Sequence, residues 1–130
     1  MPADAPGDKR LSRYRNVLDT LPLEFTTVWI DDHLQDGDHP ILEGWTFLTY
    51  LAALYPRLKF GHLVLSQSFR NPALLAKMAA TLQHLTGGRY ILGIGAGWRE
   101  EEYHGYGYDY PGGGSASSNS QRRLRSSARC

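Results

Sequence analysis

The sequence predicts an α/β fold with a parallel sheet, and three observations support this prediction. Residues 25–30, 60–66 and 90–95 are apolar segments rich in β-branched and aromatic side chains, as buried strands are. The segments around them place apolar residues at helical spacing. Strands that are apolar throughout and alternate with amphipathic helices are typical of parallel sheets with right-handed crossovers.

Four helices are predicted in this alternation. The first covers residues 10–21 and ends near Pro22, and the second covers residues 43–56. The third has the clearest boundaries, because Asn71 is a good N-cap, Pro72 suits the first helical position, and 87–88 is a Gly-Gly pair that ends a helix. Its apolar stripe is formed by Leu74, Leu75, Met78, Ala79, Leu82 and Leu85. Residues 98–106 start a fourth helix.

Composition indicates one small soluble domain. The chain has 130 residues, of which 42% are hydrophobic and 21% charged. No apolar segment is long enough to span a membrane, and the polar first residues lack the apolar core of a signal peptide. Because the only cysteine is Cys130, no intramolecular disulfide is expected and a cytoplasmic location is predicted.

Three regions are predicted along the chain. Residues 10–111 form the folded domain, and residues 1–9 are a disordered N-terminus. Residues 112–130 are a disordered tail rich in Gly, Ser and Arg, with four arginines and no acidic residue. The rest of the chain is therefore mildly acidic, which gives no support for nucleic-acid binding.

Polar and glycine residues follow all three predicted strands, at positions 31–33, 66–71 and 95–99. In parallel α/β folds, ligands bind beyond the carboxyl ends of the strands. We therefore expect these three clusters to lie on one rim and to form a site there.

The glycines at 93, 95 and 97 do not form a phosphate-binding loop. They read G-x-G-x-G before Trp98, which is not the dinucleotide fingerprint, and no Gly-Lys-Ser/Thr sequence is present. The three glutamates at 100–102 would repel an anion. Alternating glycines allow close approach of a flat ligand or tight packing against neighbouring elements, and the sequence leaves both interpretations open.

His33 is the main candidate for proton transfer, because it follows a strand and stands beside Asp31 and Asp32. A structural histidine paired with a carboxylate is the alternative. Together with His39 these residues match no standard zinc spacing, so no metal is predicted. The role of five aromatic residues is also open. They line a pocket, or they form surface and oligomer contacts. These residues are Trp98, Tyr103, Tyr106, Tyr108 and Tyr110.

Three segments together resemble the luciferase-like monooxygenases, which are (β/α)8 barrels and include bacterial luciferase and deazaflavin-dependent oxidoreductases. They are VWIDDHL (28–34), EGWTFLTYLAAL (43–54) and residues 59–111. The last contains RNPALLAKMAATL followed by GGR and LGIGAGW, which is close to a family signature. The resemblance implies that the α/β fold is part of a TIM (β/α)8 barrel with alternating parallel strands and helices.

The same resemblance implies a cofactor and a site. The cofactor is FMN or the deazaflavin coenzyme F-420 (written F420 in protein names), and the partner is a small-molecule substrate. Asp32 and His33 are then the catalytic residues. The implied cofactor-binding residues are Leu63, Val64, Ser66, Gly95, Ala96, Gly97 and Trp98. In several relatives the strand that corresponds to residues 63–66 carries a non-proline cis peptide bond.

The sequence also departs from the family pattern. In bacterial luciferase the working histidine stands one position earlier, where this chain has Asp32, so light emission is not expected. Residues 1–10 are too polar to form the family's first strand, and the match ends at Pro111. Three strands do not close an eight-stranded barrel, and the tail has the composition of an out-of-frame reading of a GC-rich gene. An incomplete product is therefore expected.

Three hypotheses for function follow. The first is a fragment of a flavin- or deazaflavin-dependent oxidoreductase or monooxygenase. The second is a non-catalytic partial barrel whose open strand edges pair with another chain, giving a homo-oligomer such as a dimer or an aggregation-prone fragment. The third is a small doubly wound binding domain, which no nucleotide motif supports; the order of the strands separates it from part of a barrel.

Overall fold

The computed structural model describes residues 9–110. Within this range, no helix has both the length and the apolar composition needed to cross a bilayer. The predicted disordered tail, residues 112–130, lies outside the described residues, as does the predicted N-terminus apart from Lys9. Those two assignments and the cytoplasmic location stay predictions.

Helices and strands alternate along the described chain. The helices are α1 (Arg10–Asp19), α2 (Gly44–Leu54), α3 (Pro72–Leu85) and α4 (Glu100–Gly105). The strands are β1 (Thr27–Ile30), β2 (Lys59–His62), β3 (Leu65–Ser66), β4 (Tyr90–Ile91) and β5 (Ile94–Gly95). The four predicted helices are confirmed: α3 has the predicted boundaries, and the other three are each shorter than the sequence pattern indicated.

All strand pairs are parallel. One sheet has the order β1-β2-β4, with Val28 opposite Phe60 and Phe60 opposite Tyr90, and the second pairs β3 with β5. The α/β class and the parallel arrangement are therefore confirmed. The first sheet follows the order of the chain, as part of a β/α barrel does, and the described strands do not include the reversal of strand order that marks a doubly wound sheet.

The prediction of two unbroken strands over residues 60–66 and 90–95 is wrong. Each is interrupted after its first part, between β2 and β3 and between β4 and β5. Pairing resumes beyond the interruption, where Leu65 N–H donates to Gly93 O at 2.9 Å. The peptide bond between Leu63 and Val64 is cis, at the position that the family resemblance implied.

Helices α2 and α3 cover one face of the first sheet and form the core with it. Leu48 and Leu51 of α2 and Phe60 of β2 are almost completely buried. Local signals set the helix ends: Asn71 Oδ1 accepts hydrogen bonds from Ala73 N and Leu74 N, and Gly87 adopts a positive φ of 61°. Leu74 and Leu85, predicted to belong to the apolar stripe, are instead exposed.

The opposite face of this sheet is open within the described residues. Trp29 lies across Gly61, where a Cβ would come within 2.4 Å of the indole ring, and Trp29 itself is 48% exposed. A side chain at position 61 would displace the indole, so the observed position of Trp29 depends on glycine there. An exposed tryptophan on an uncovered sheet face marks a surface suited to further contacts.

His62 is a fully buried histidine in the layer between sheet and helices. Its ring stacks on Trp45 at a centroid distance of 5.5 Å, and its Nδ1 is 3.0 Å from the hydroxyl of Tyr90. Burial lowers the pKa of His62, although the negative charge of Asp32 offsets part of the effect. Burial disfavours the charged form of Tyr90 as well, and for a tyrosine this raises the pKa. At pH 7 the histidine is therefore neutral in the folded state.

This lowered pKa predicts a loss of stability in mild acid. In the unfolded chain His62 has its ordinary pKa of 6.5, so as the pH falls below that value the unfolded state binds a proton that the folded state resists. The free energy of unfolding from urea titrations then decreases, by at most about 1.4 kcal/mol per pH unit for this residue. His62→Gln removes this part of the slope, whereas exposed His104→Gln retains it. An identical pH dependence in the His62→Gln and wild-type chains would contradict the assignment.

Candidate active site at the carboxyl ends of the strands

The three clusters that follow the strands meet on one rim, as predicted. Ser66 N–H, at the end of β3, donates to Asp32 Oδ2 at 2.9 Å. The rings of His33 and Trp98 meet edge to face at 5.8 Å. Residues that are far apart in sequence thus come together beyond the carboxyl ends of β1, β3 and β5.

Asp32 lies at the centre of this rim and is 4% exposed. Arg70 donates to both of its oxygens, Nη1 to Oδ2 and Nη2 to Oδ1, each at 2.7 Å. Such a two-point, charge-assisted pair fixes geometry strongly. Because Arg70 and Ser66 occupy the Asp32 carboxylate, this arrangement favours a positioning role for Asp32 over proton exchange.

Arg70 also joins the rim to the start of α2. It contacts Glu43, whose carboxylate caps α2 by accepting hydrogen bonds from Trp45 N and Thr46 N. Burial alone raises the pKa of Glu43, but these hydrogen bonds and the charge of Arg70 outweigh it and leave the pKa lowered. For Arg70, burial alone would lower the pKa. The hydrogen bonds and charges of Asp32 and Glu43 outweigh this effect, so the pKa of Arg70 is raised. Glu43 and Arg70 are therefore both charged at neutral pH.

His33 is held on one side and accessible on the other. Its Nδ1 is 2.8 Å from Oε1 of Glu102, and its side chain is 24% exposed to solvent. Glu102, on α4, is only 2% exposed, and Arg99 Nη1 lies 3.7 Å from the same carboxylate oxygen. A carboxylate that holds one imidazole nitrogen leaves the other to exchange a proton with a bound molecule.

A small cavity of about 60 Å³ borders His33. Seven of the predicted site residues line it: Asp32, His33, Leu63, Val64, Ser66, Gly97 and Trp98. The other two predicted residues, Gly95 and Ala96, are not in its lining. Gly95 pairs with Ser66 in the second sheet, and Ala96 O accepts a hydrogen bond from the Tyr103 hydroxyl. Beside the cavity, Leu63 is 65% and Trp98 68% exposed. The cavity admits a polar group or the edge of a ring, and the exposed side chains form an apolar surface next to it.

The alternating glycines allow parts of the chain itself to approach closely. A Cβ at Gly93 would lie 2.2 Å from His62 O, one at Gly95 2.4 Å from Val64 Cγ2, and one at Gly97 2.0 Å from the Tyr103 hydroxyl. Any side chain at these positions would require its neighbours to move. Of the two interpretations that the sequence left open, the structure favours tight packing over approach of a flat ligand to these three residues.

The tyrosines after Trp98 mostly fasten α4 to the strand ends. Tyr103 is fully buried, with its hydroxyl 3.2 Å from Ser66 Oγ. Tyr106, Tyr108 and Tyr110 donate from their hydroxyls to backbone carbonyls of Leu34, Phe69 and Trp98 respectively. Of the aromatic residues proposed as a pocket wall, Trp98 and Tyr103 border the cavity. The part of the chain that the structure describes contains no group of three metal-ligating side chains.

Two residues of this site were not singled out from the sequence. The sequence places Arg70 within a predicted cluster but does not indicate its partner. It marks Glu102 only as one of three glutamates that would repel an anion. Its neighbours Glu100 and Glu101 are exposed, and nothing in the local sequence distinguishes the one that turns inward.

A family model described as luciferase-like monooxygenase matches residues 22–121. The chain is 34% identical to the phthiodiolone/phenolphthiodiolone dimycocerosates ketoreductase of Mycobacterium sp. (strain JLS), over 77% of this chain and 32% of the relative. It is 44% identical to the F420-dependent glucose-6-phosphate dehydrogenase of Kineococcus radiotolerans, over 55% of this chain and 22% of that protein. The chain thus spans about a third or less of the length of these curated relatives.

Two solved structures share the fold. The oxygenating constituent of 3,6-diketocamphane monooxygenase from Pseudomonas putida, in complex with FMN, superposes with a TM-score of 0.70 at 21% identity, over 95% of this chain and 35% of that one. The coenzyme F420-dependent tetrahydromethanopterin reductase of Methanopyrus kandleri gives a TM-score of 0.60 at 26% identity, over 85% and 29%. One of these structures thus contains FMN and the other is of an F420-dependent enzyme, and these are the two cofactors that the family resemblance implied.

Proposed function

The chain belongs to the luciferase-like monooxygenase family, and from this premise we propose that residues 9–110 form part of an FMN or F-420 site in an oxidoreductase that acts on a small molecule. The observation that carries the proposal is His33. It is anchored on Glu102 at 2.8 Å, borders a cavity and stands against the exposed ring of Trp98. An accessible imidazole beside an apolar surface, at the carboxyl ends of parallel strands, suits proton transfer to or from a bound molecule.

The described residues fit the ring of such a cofactor better than its phosphate. Leu63, Val64 and Trp98 offer exposed apolar surface on which a flat ring can lie, while the cavity of about 60 Å³ takes only an edge of the ring. Arg70 and Arg99 are already engaged by carboxylates, so neither suits a phosphate. When bound, either cofactor supplies the electron transfer of the reaction.

The remaining site residues are assigned by what they contact. His33 exchanges a proton through Nε2, because Glu102 engages Nδ1. Asp32 positions the end of β3 by accepting the hydrogen bond from Ser66 N–H. The backbone of residues 95–97 places Trp98 beside His33. The Tyr103 hydroxyl donates a hydrogen bond to Ala96 O at 3.0 Å and so fixes this backbone segment.

If Trp98 forms the surface for the ring, Trp98→Ala weakens binding of FMN or F-420 to the full chain by about tenfold, the loss expected for one aromatic contact. Isothermal titration calorimetry measures this without relying on tryptophan fluorescence. Because Trp98 is 68% exposed, the substitution leaves the core intact.

Phe25→Ala is the matched control for this prediction. Phe25 is also an exposed aromatic residue, 55% accessible, but it precedes the amino end of β1, away from the rim. We expect it to leave the affinity unchanged. Equal affinities in all three chains, or binding of neither cofactor to the folded wild-type chain, would refute the proposed site.

A second candidate function is association with another chain, and the edge of β1, which pairs with no further strand within residues 9–110, favours it. Beside this edge lies a groove of about 520 Å³, bordered by α1, β1, the loop after β1 and α2, which reaches His33 and Arg99 of the rim. Its walls include Tyr14 and Val17, which are 50% and 57% exposed, and the core residue Leu18. An open edge flanked by apolar side chains is a surface for pairing, including pairing between two copies of the chain.

Light scattering of the full chain tests this second candidate. We expect a dimer or larger species, and Val17→Asp shifts it toward the monomer by placing a charge in the groove. Leu85→Asp is the control, because Leu85 is 73% exposed at the end of α3, outside the groove. A wild-type chain that stays monomeric at all accessible concentrations would exclude the association.

A further inference from the structure

We propose that Glu102 is a positioning residue that fixes the tautomer of His33, so that the histidine presents an unprotonated Nε2 to the cavity. The inference rests on the role proposed above for His33. It extends that role by naming the residue that controls the histidine and the kind of group that the site receives.

The first step is the chemistry of the two partners. Glu102 Oε1 lies 2.8 Å from His33 Nδ1, a hydrogen-bond distance between two heavy atoms. An ionised carboxylate can only accept hydrogen bonds. The proton of the neutral imidazole must therefore be on Nδ1, and Nε2 keeps its lone pair.

The second step is the charge state of Glu102. The residue is 2% exposed, and a buried carboxylate is costly unless it is paired. Arg99 supplies the positive charge, with Nη1 3.7 Å from the same oxygen, and it is held in place by Gln35 O at 2.9 Å and Asp36 Oδ1 at 3.2 Å. Glu100 and Glu101 stand on the same short helix but are exposed, and among residues 9–110 the carboxylate bonded to His33 is that of Glu102.

The third step concerns the bound molecule. A histidine with a free lone pair on Nε2 accepts a hydrogen bond, so it selects a group that carries a hydrogen on oxygen or nitrogen. An alcohol O–H of a substrate and an N–H of a ring share this chemistry. The arrangement would disfavour a molecule that presents only acceptor atoms at this point, since two lone pairs would then face each other.

Long-range ¹H–¹⁵N correlation spectra of the histidine side chains test the inference on the full chain without any ligand, at a pH where the His33 signals show a neutral ring. In the wild-type chain we expect Nδ1 to be protonated and Nε2 unprotonated. Glu102→Gln lowers the ratio of the Nδ1-protonated to the Nε2-protonated form by about tenfold or more, because the amide can donate as well as accept and the charged acceptor is lost. Glu101→Gln, on the exposed side of α4, leaves the ratio unchanged.

A wild-type His33 that is protonated on Nε2, or a ratio that is the same in folded Glu102→Gln, would overturn the proposal. The wild-type spectrum decides the tautomer even where the variant does not fold. Since no cofactor is present in this experiment, its outcome is independent of cofactor binding. An Nδ1-protonated His33 in a chain that binds neither FMN nor F-420 would support the role of Glu102 and refute only the cofactor site.

Discussion

The buried ion pair between Asp32 and Arg70 is the interaction on which the site depends. Asp32 lies just after β1, Arg70 precedes α3, and the Asp32 carboxylate also accepts the N–H of Ser66 at the end of β3. One side chain thus connects three segments that are distant in sequence. A buried carboxylate that lost its partner would destabilise all three, since an unpaired charge in this environment is strongly unfavourable.

The position of His33 follows from this connection. The residue is the immediate neighbour of Asp32, so the pair with Arg70 fixes its backbone, and Glu102 then fixes its ring. Helix α4 carries Glu102, and hydroxyl groups of Tyr103, Tyr106 and Tyr108 secure that helix and the turn after it to the strand ends. These polar contacts hold a site that is built from loops, whereas the apolar core lies on the helix-covered face of the sheet.

The features predicted from sequence are those that depend on local chemistry or on topology. The N-cap at Asn71 and the glycines after α3 are local signals, and the shared rim follows from parallel strands of any length. The interruption of the strands near Val64 was not predictable in this way, because it depends on pairing with residues about thirty positions away. The same is true of Glu102. Its contacts with His33 and Arg99 decide which of the three glutamates is buried, and no periodic pattern in the sequence indicates these contacts. The packing of Gly95 and Gly97 is likewise set by distant residues, since their neighbours are Val64 and Tyr103.

A double-mutant cycle on Asp32 and Arg70, measured as free energies of unfolding in urea, tests the central claim most directly. Arg70→Met and Asp32→Asn are each expected to destabilise the chain, the former by about 3–5 kcal/mol because it leaves a buried carboxylate without its partner. The double variant should lose clearly less than the sum of the two, because the second substitution removes a charge that no longer has a partner. Arg57→Met serves as a control, since that arginine donates only to backbone carbonyls in the recorded bonds of residues 9–110. Costs that simply add would contradict the claim that this pair holds the site together.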